Sequence, residues 1–396
     1  MQTSGKINWQ SPTTQQIIKE LQENLLLLGR DSRVVRGACA YSRFKKQFFF
    51  KIRQQLLRFS HKSVVQTGPL KICFYLAGGL GDAVCASRVV RAYQTLLPGT
   101  VFDVYCPLPK VAQLLFGPVN AVRCLQKWPI YFQEYDLVIF ACLGVKFLFA
   151  NERRLQEQAP DFWPVFQQAQ QAQQSLGMLL EDPFLTEGAL GRLISRLGGN
   201  RFDLLQYTSG VVDMVPYVPD FSTENLKELV GKKYITFHDG TSLAQPFLPS
   251  PTRAWPHWRE FIRAFRQNYP DYLVVQLGAE QSPVYPEADV CLVQKTSLQD
   301  LPGLLKGARL HIDTESGIVH LATLLQVPCV VLFGPSDKKM LGYGRNCNLS
   351  AGDCGGCMWM TTDWMARCPL GKEPAPCMAS ISVEQVLQGV KEMLAR

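Results

Sequence analysis

Apolar positions along this chain recur first with helical and then with strand-like spacing, and the change falls near residue 70. Over residues 13–28 the stripe Ile17, Ile18, Leu21, Leu25 and Leu28 predicts a helix, which Gly29 stops. Residues 41–62 predict a second helix, in which Phe44, Phe48, Ile52 and Phe59 mix with Arg43, Lys45, Lys46, Lys51, Arg53 and Arg58. From Leu70 short apolar runs take over, predicting strands over 72–76, 101–105, 121–125 and 137–141 and a helix over 83–96. Residues 151–200 read as mostly helical, an extension of the same unit that could shape an acceptor cleft. Pro216 and Pro219 mark a linker. The alternation then resumes, with strands over 234–237, 272–276, 290–293, 310–312 and 329–333 and helices over 256–269, 298–305, 318–325 and 383–394. Such alternation predicts parallel α/β sheets. The divisions are a helical arm over 1–68, a first α/β domain over 69–215, a linker over 216–231, a second α/β domain over 232–382 and a terminal helix over 383–396. Two consecutive α/β domains with a cleft between them suit a bisubstrate enzyme, one substrate held by each half.

The stretch 313–335 organises the second domain. Asp313, Thr314, Glu315, Ser316 and Gly317 lead into a helix with His320 near its start, and Pro328 precedes a buried strand. A helix N-terminus offers free N–H groups and the positive end of a dipole, which suits a phosphate. Ser316 either caps this helix or donates to such a ligand, and Gly317 lets the backbone approach closely. In the first domain Gly79-Leu80-Gly81 resembles part of a dinucleotide fingerprint, but Val84 stands at the third glycine position. Asp103, about twenty residues on, falls inside the predicted second strand.

Charge changes the picture at the N-terminus. Residues 1–68 hold 12 Lys and Arg against 3 Asp and Glu, and the remainder holds 29 against 30. All the excess positive charge therefore sits on the arm. Basic and aromatic residues at helical spacing fit an interfacial helix on anionic lipid, and equally a packed helix with a solvated basic face. No recognised nucleic-acid module accompanies the arm, so nucleic acid is not expected as a partner. The start lacks the apolar core of a signal peptide, and no run reaches the length of a spanning helix; residues 137–150 come nearest and are interrupted by Lys146. Thirteen cysteines without a secretory signal point to a reducing, cytoplasmic setting. Cys354, Cys357, Cys368 and Cys377 form a C-x2-C-x10-C-x8-C cluster within a loop over 347–377, with Cys347 upstream. That spacing can close a tetrahedral structural site around Zn or Fe, or leave free thiols or a disulfide.

Four motifs occur in order: Gly79-Leu80-Gly81-Asp82, Arg253-Ala254-Trp255-Pro256, Gly278-Ala279-Glu280, and Glu315-Ser316-Gly317-Ile318-Val319-His320-Leu321-Ala322. Together they resemble glycosyltransferase family 9, the ADP-heptose-dependent heptosyltransferases of lipopolysaccharide assembly, over roughly residues 70–396. The resemblance implies a GT-B fold, two Rossmann-like domains facing across a cleft, with the acceptor on the first and the nucleotide sugar on the second. It implies inverting transfer without a catalytic metal or other cofactor. The acceptor would be a lipopolysaccharide core or other glycan, or a protein hydroxyl as in the autotransporter heptosyltransferase relatives, which are known for an iron-binding cysteine cluster. By matched motif Asp82 resembles the general base, with Gly79 and Gly81 on the acceptor-side loop; its other reading is a helix cap. Arg253 stands where the family usually has Lys and would neutralise the diphosphate. Thr241, Ser242, Glu280, Glu315, Ser316, Gly317 and His320 would hold the donor. Glu315 replaces the family's usual Asp, and its extra methylene changes the reach of a sugar-binding carboxylate. The resemblance also implies the cytoplasmic face of the inner membrane, with peripheral contact to anionic lipid. A non-catalytic nucleotide-sugar-binding or scaffold protein is the competing class.

Overall fold

The computed structural model describes residues 7–31, 67–117, 122–127, 130–181, 184–214, 228–240, 252–352, 354–361 and 363–396. Helix α1 (Pro12–Asp31) bears out the first predicted helix, although it runs through Gly29 instead of stopping there. Its Ile18 is buried, Trp9 stacks on Tyr207 with ring centroids 4.4 Å apart, and the Gln22 amide donates to the carbonyls of Ser175 and Leu176. The first part of the arm is thus docked on the body. The predicted basic helix over 41–62, and most of the linker, lie outside the described residues.

The first sheet has the order β3-β2-β1-β4-β5. Strands β1 (Lys71–Leu76), β2 (Val101–Tyr105), β3 (Val122–Leu125) and β4 (Leu137–Ala141) run parallel, with α2 (Leu80–Leu96) and α3 (Pro109–Phe116) as crossovers. The sequence reading missed β5 (Val145–Ala150), which pairs antiparallel with β4. A turn closed by Cys142 N–H donating to the Gly144 carbonyl folds the apolar run 137–150 into a hairpin, and Lys146 reaches out to pair with Glu181. Asp103 lies fully buried within β2, its carboxylate taken by Arg123 at 2.8 Å and by the Tyr135 hydroxyl at 2.7 Å. It is therefore not free to hold a ribose.

The helical extension comprises α4 (Glu152–Gln158), α5 (Trp163–Leu176), a 3-10 turn (Gly177–Leu180), a π-helical segment (Phe184–Leu190), α6 (Gly191–Arg196) and α7 (Arg201–Ser209). Asn200 caps α7, and Asp203 returns the bond to the Asn200 N–H. This orients the start of α7, from which Arg201 projects.

The second sheet is six-stranded and wholly parallel, order β11-β10-β9-β6-β7-β8. It comprises β6 (Tyr234–His238), β7 (Leu273–Gln276), β8 (Val290–Cys291), β9 (Leu310–Thr314), β10 (Cys329–Phe333) and β11 (Cys347–Ser350). Its helices are α8 (Trp258–Asn268), α9 (Leu301–Gly307), α10 (Gly317–Leu324), the short α11 (Lys338–Leu341) and α12 (Pro376–Ala379), and the terminal α13 (Val383–Leu394). The expected loop over 347–377 begins later than predicted, because Cys347 to Ser350 pair with β10 as an edge strand. One apolar cluster runs from Ile72 and Val84 in the first half to Val319, Leu321 and Phe333 in the second, so the halves share a core. The opposite face of the second sheet packs Ile235, Phe237 and Leu332 against Trp255, Trp258, Phe261 and Phe265. Phe265 is fully buried and touches Phe261, Tyr269 and Tyr272. Phe265→Ala is expected to cost about 3–5 kcal/mol, measured by chemical denaturation, because the emptied space cannot be refilled by neighbours in a rigid aromatic stack.

Candidate active site

Both halves send a helix N-terminus to one point. The turn after β1 starts α2, and Gly78 there has φ +90, with no room for a Cβ beside the Asp82 carboxylate. A Cβ on Gly81 would lie 2.3 Å from His320 Cδ2, and one on Gly317 would lie 2.9 Å from Leu80 Cβ. The glycines thus let α2 and α10 abut.

Asp82 sits in the first turn of α2, with its side chain 30% exposed. Its Oδ2 accepts from the Gly79 N–H at 3.0 Å, so the capping reading is realised. Its Oδ1 accepts from Arg201 Nη2 at 2.8 Å. Arg201 is buried, and its Nη1 lies 3.4 Å from His320 Nε2. His320 Nε2 also lies 3.3 Å from Glu315 Oε1, while its Nδ1 is 2.7 Å from the Tyr343 hydroxyl and 3.7 Å from Cys85 Sγ. Burial disfavours the imidazolium, but Cys85 and Glu315 outweigh it and raise the pKa to about 9. Protonated His320 therefore donates to Glu315, and its approach to Arg201 is a contact of two cations set between carboxylates. Burial likewise opposes the Glu315 charge, yet His320, Arg253 and Ser336 hold its pKa at about 2. Ser336 Oγ donates to the second Glu315 oxygen at 2.9 Å. Arg253 Nη2 donates to the backbone carbonyl of Glu315 and approaches that of Gly240 at 3.4 Å, which aims the guanidinium at the same loop.

Beneath this loop lies a closed polar layer. Ser316 Oγ accepts from the Ile318 N–H and donates to Asp313 Oδ2 at 2.5 Å, so its proton is already committed. Asp313 also meets His238 Nδ1 at 3.1 Å and His311 Nε2 at 3.2 Å, and Thr236 meets His311 Nδ1 at 3.0 Å. Burial works against the Asp313 carboxylate, but His238 and His311 keep its pKa low.

Of the residues singled out in the sequence, Gly79, Gly81, Asp82, Arg253, Glu315, Ser316, Gly317 and His320 come together. Glu280 stands apart, exposed on the loop after β7, where its carbonyl accepts from Gln294. Thr241 and Ser242 lie outside the described residues. Arg201, Tyr343, Ser336 and Glu187 were missed. Only the Asn200-x-x-Asp203 capping box signalled a helix beginning at Arg201.

Residues 212–350 match the model of glycosyltransferase family 9 (heptosyltransferase), a span that contains Arg253, Glu280 and Glu315 to His320 but not Asp82. Lipopolysaccharide heptosyltransferase 1 of Pseudomonas aeruginosa is 30% identical over 124 residues, 29% of this chain and 33% of that protein. The chain thus spans about a third of the length of that relative. The crystal structure of the bacterial iron-containing dodecameric glycosyltransferase TibC, from enterotoxigenic E. coli, superposes with TM-score 0.56 at 15% identity, covering 84% of this chain and 81% of that one. TibC in complex with ADP-D-beta-D-heptose gives 0.55 at 15% identity, covering 84% and 80%. Over residues 212–350 the chain is thus similar to glycosyltransferase family 9, the heptosyltransferases. Its fold is GT-B.

The cysteine-rich loop is tucked under the end of β10, where Gly356 N–H donates to the Gly334 carbonyl. Cys377 is pushed up to about 12 by burial and by Cys354, Cys357 and Cys368, so the four thiols are near neighbours. Among the described residues, however, no group of three or more His, Cys, Asp or Glu is arranged to hold a metal ion. Holding one would require the thiols to turn toward a common centre. Cys347 lies in β11, packed against Gly389 and away from the other four. The loop also crosses to the first half. Arg192 Nη2 donates to the Met358 carbonyl at 2.9 Å, and Trp359 Nε1 donates to Glu187 Oε2 at 2.5 Å. Trp359 holds φ 58, a left-handed backbone costing of order 1–3 kcal/mol for a bulky residue.

The His320–Glu315 pair gives a signed pH dependence. His320's pKa is raised from 6.5, so its contribution to stability is complete below pH 6.5 and is lost as pH rises through about 9. Glu315's pKa is lowered from 4.5, so its contribution is complete above pH 4.5 and is lost as pH falls through about 2. The difference in Tm between wild type and His320→Asn is expected to be largest between pH 4.5 and 6.5 and to shrink toward pH 9. A difference that is flat or grows with alkalinity would contradict the pairing.

Proposed function

We propose that this protein is an inverting glycosyltransferase that moves a heptose from ADP-heptose to a hydroxyl of a lipopolysaccharide core or other glycan. The observation that carries the reading is the Asp82 carboxylate, turned by Gly79 and Arg201 beside the Glu315, His320 and Arg253 group of the other half. The curated relative's name and the ADP-D-beta-D-heptose complex of TibC support the choice of sugar and nucleotide.

In this reading the acceptor hydroxyl lies against Asp82, whose oxygens each keep a lone pair beyond their bonds to Gly79 and Arg201. As the hydroxyl oxygen attacks the anomeric carbon, its proton passes to Asp82 and the bond from that carbon to the diphosphate oxygen breaks on the opposite face. The charge released on the diphosphate is met by Arg253, whose planar fork matches two phosphate oxygens. His320 and Glu315 act as a rigid ion pair that sets the donor loop. The transfer itself uses no metal. The basic N-terminal stretch would bring the enzyme to anionic lipid on the cytoplasmic face of the inner membrane; among the described residues no helix is long and apolar enough to cross one.

Asp82→Asn keeps the side-chain shape and one acceptor oxygen, enough for either the Gly79 N–H or Arg201 but not both, and cannot take the proton. It is expected to fold with a lowered Tm and to keep its donor affinity, measured by thermal shift with ADP-heptose, while single-turnover transfer falls about a hundredfold or more. Arg253→Ala is expected to weaken both donor binding and turnover. Near-wild-type transfer by Asp82→Asn would remove it as the base. Transfer to a protein serine or threonine in preference to glycan would replace the acceptor class. No binding of any nucleotide sugar would return the chain to the scaffold reading.

The cysteine cluster is proposed to hold a structural Zn or Fe that takes no part in transfer. Carefully purified protein is expected to contain about one such ion per chain, lost in the Cys354→Ser, Cys357→Ser double variant together with part of its thermal stability. Metal content near zero would make these residues plain thiols.

A further inference from the structure

Beside Asp82 stands a second carboxylate that the transfer step leaves unused. Glu187 comes from the π-helical segment of the first half, and Trp359, from the cysteine-rich loop of the second, donates its indole N–H to Glu187 Oε2 at 2.5 Å. Oε1 has no hydrogen-bond partner among the described residues. The group is close enough to Asp82, Arg201 and Glu315 for all three to act on its charge. Arg201, buried between Asp82 and His320, also has an Nε without a partner among the described residues. Among the described residues, then, one oxygen of the Glu187 carboxylate is left without a partner, as is the buried Nε of Arg201. A carboxylate oxygen free to accept matches the proton of a sugar hydroxyl.

We infer that Glu187, fixed by Trp359, is a sugar-positioning residue that binds a hydroxyl adjacent to the bond being made. This rests on the glycosyltransferase reading above. Burial and the Asp82 charge hold the Glu187 carboxyl up to about 7, so it can both accept and donate near neutrality. Nearby contacts separate this role from simple latching of the loop. Arg192 already ties Gly188 to Met358, with bonds of 2.7 and 2.9 Å, independently of the Glu187 carboxylate.

Glu187→Gln keeps an oxygen to accept the Trp359 N–H, so the latch survives, but it loses the charge and the proton. Its Tm is expected to stay near wild type. One steady-state constant is expected to worsen by about tenfold to a hundredfold, as for a lost hydrogen bond to a charged group. A rise in acceptor KM assigns the hydroxyl to the acceptor, and weaker ADP-heptose binding assigns it to the transferred sugar. Trp359→Phe, which frees the carboxylate, is expected to move the same constant by a smaller factor. Arg192→Ala, a latch-only variant, is expected to lower Tm and leave both constants unchanged. If Glu187→Gln does not fold, the Trp359→Phe constants decide in the same way. Constants within twofold of wild type in an active enzyme would overturn the inference and leave Asp82 untouched. A wild type that neither binds nor transfers any sugar would overturn both readings together.

Discussion

Two helix N-termini meet head to head at Gly81 and Gly317, with no room between them for a side-chain carbon. That contact concentrates positive dipole ends at one place, and the polar groups around it answer that charge. Asp82 and Glu315 supply carboxylates from either side, and Arg201 and His320 interleave with them. A buried guanidinium and a buried imidazolium would each be costly alone; alternated with carboxylates they are tolerated, and the alternation fixes every member's orientation.

The same contact separates two tasks. The layer formed by Thr236, His311, His238, Asp313 and Ser316 is closed on itself, every member bonded to another. It holds the loop that carries Glu315 without reaching the cleft. The proposed roles in transfer fall to groups outside that layer, Asp82, Arg253 and Glu187. The Ser316 hydroxyl illustrates the division. Its residue type suits a ligand donor, but the buried Asp313 carboxylate three residues earlier has taken the proton.

The fold was legible because strand–helix alternation is a local property. The strands over 101–105, 137–141 and 329–333 and the helix over 383–394 have the bounds their apolar runs predict. β5 was lost because an uninterrupted apolar run does not announce a tight turn, and β11 because a short edge strand next to cysteines reads as loop. The site was legible only where its residues lie in glycine-rich turns or at helix starts, as with Gly79 to Asp82 and Glu315 to His320. Arg201 meets Asp82 across 119 residues of sequence, and Trp359 meets Glu187 across 172. No spacing rule reaches so far, and a buried arginine looks like any other until its partner is in place. Glu280 has the local motif, and its side chain is exposed on the loop after β7.

The abutment of Gly81 with His320 and of Gly317 with Leu80 has a consequence for how this sequence can vary. Each half contains a glycine whose missing side chain is required by a residue of the other half. Neither can therefore drift alone at these positions, and a larger residue on one side calls for a smaller one opposite. For anyone building chimaeras from relatives, the joint between the halves is consequently not the linker. It is this four-residue seam, which has to be transplanted whole or kept whole.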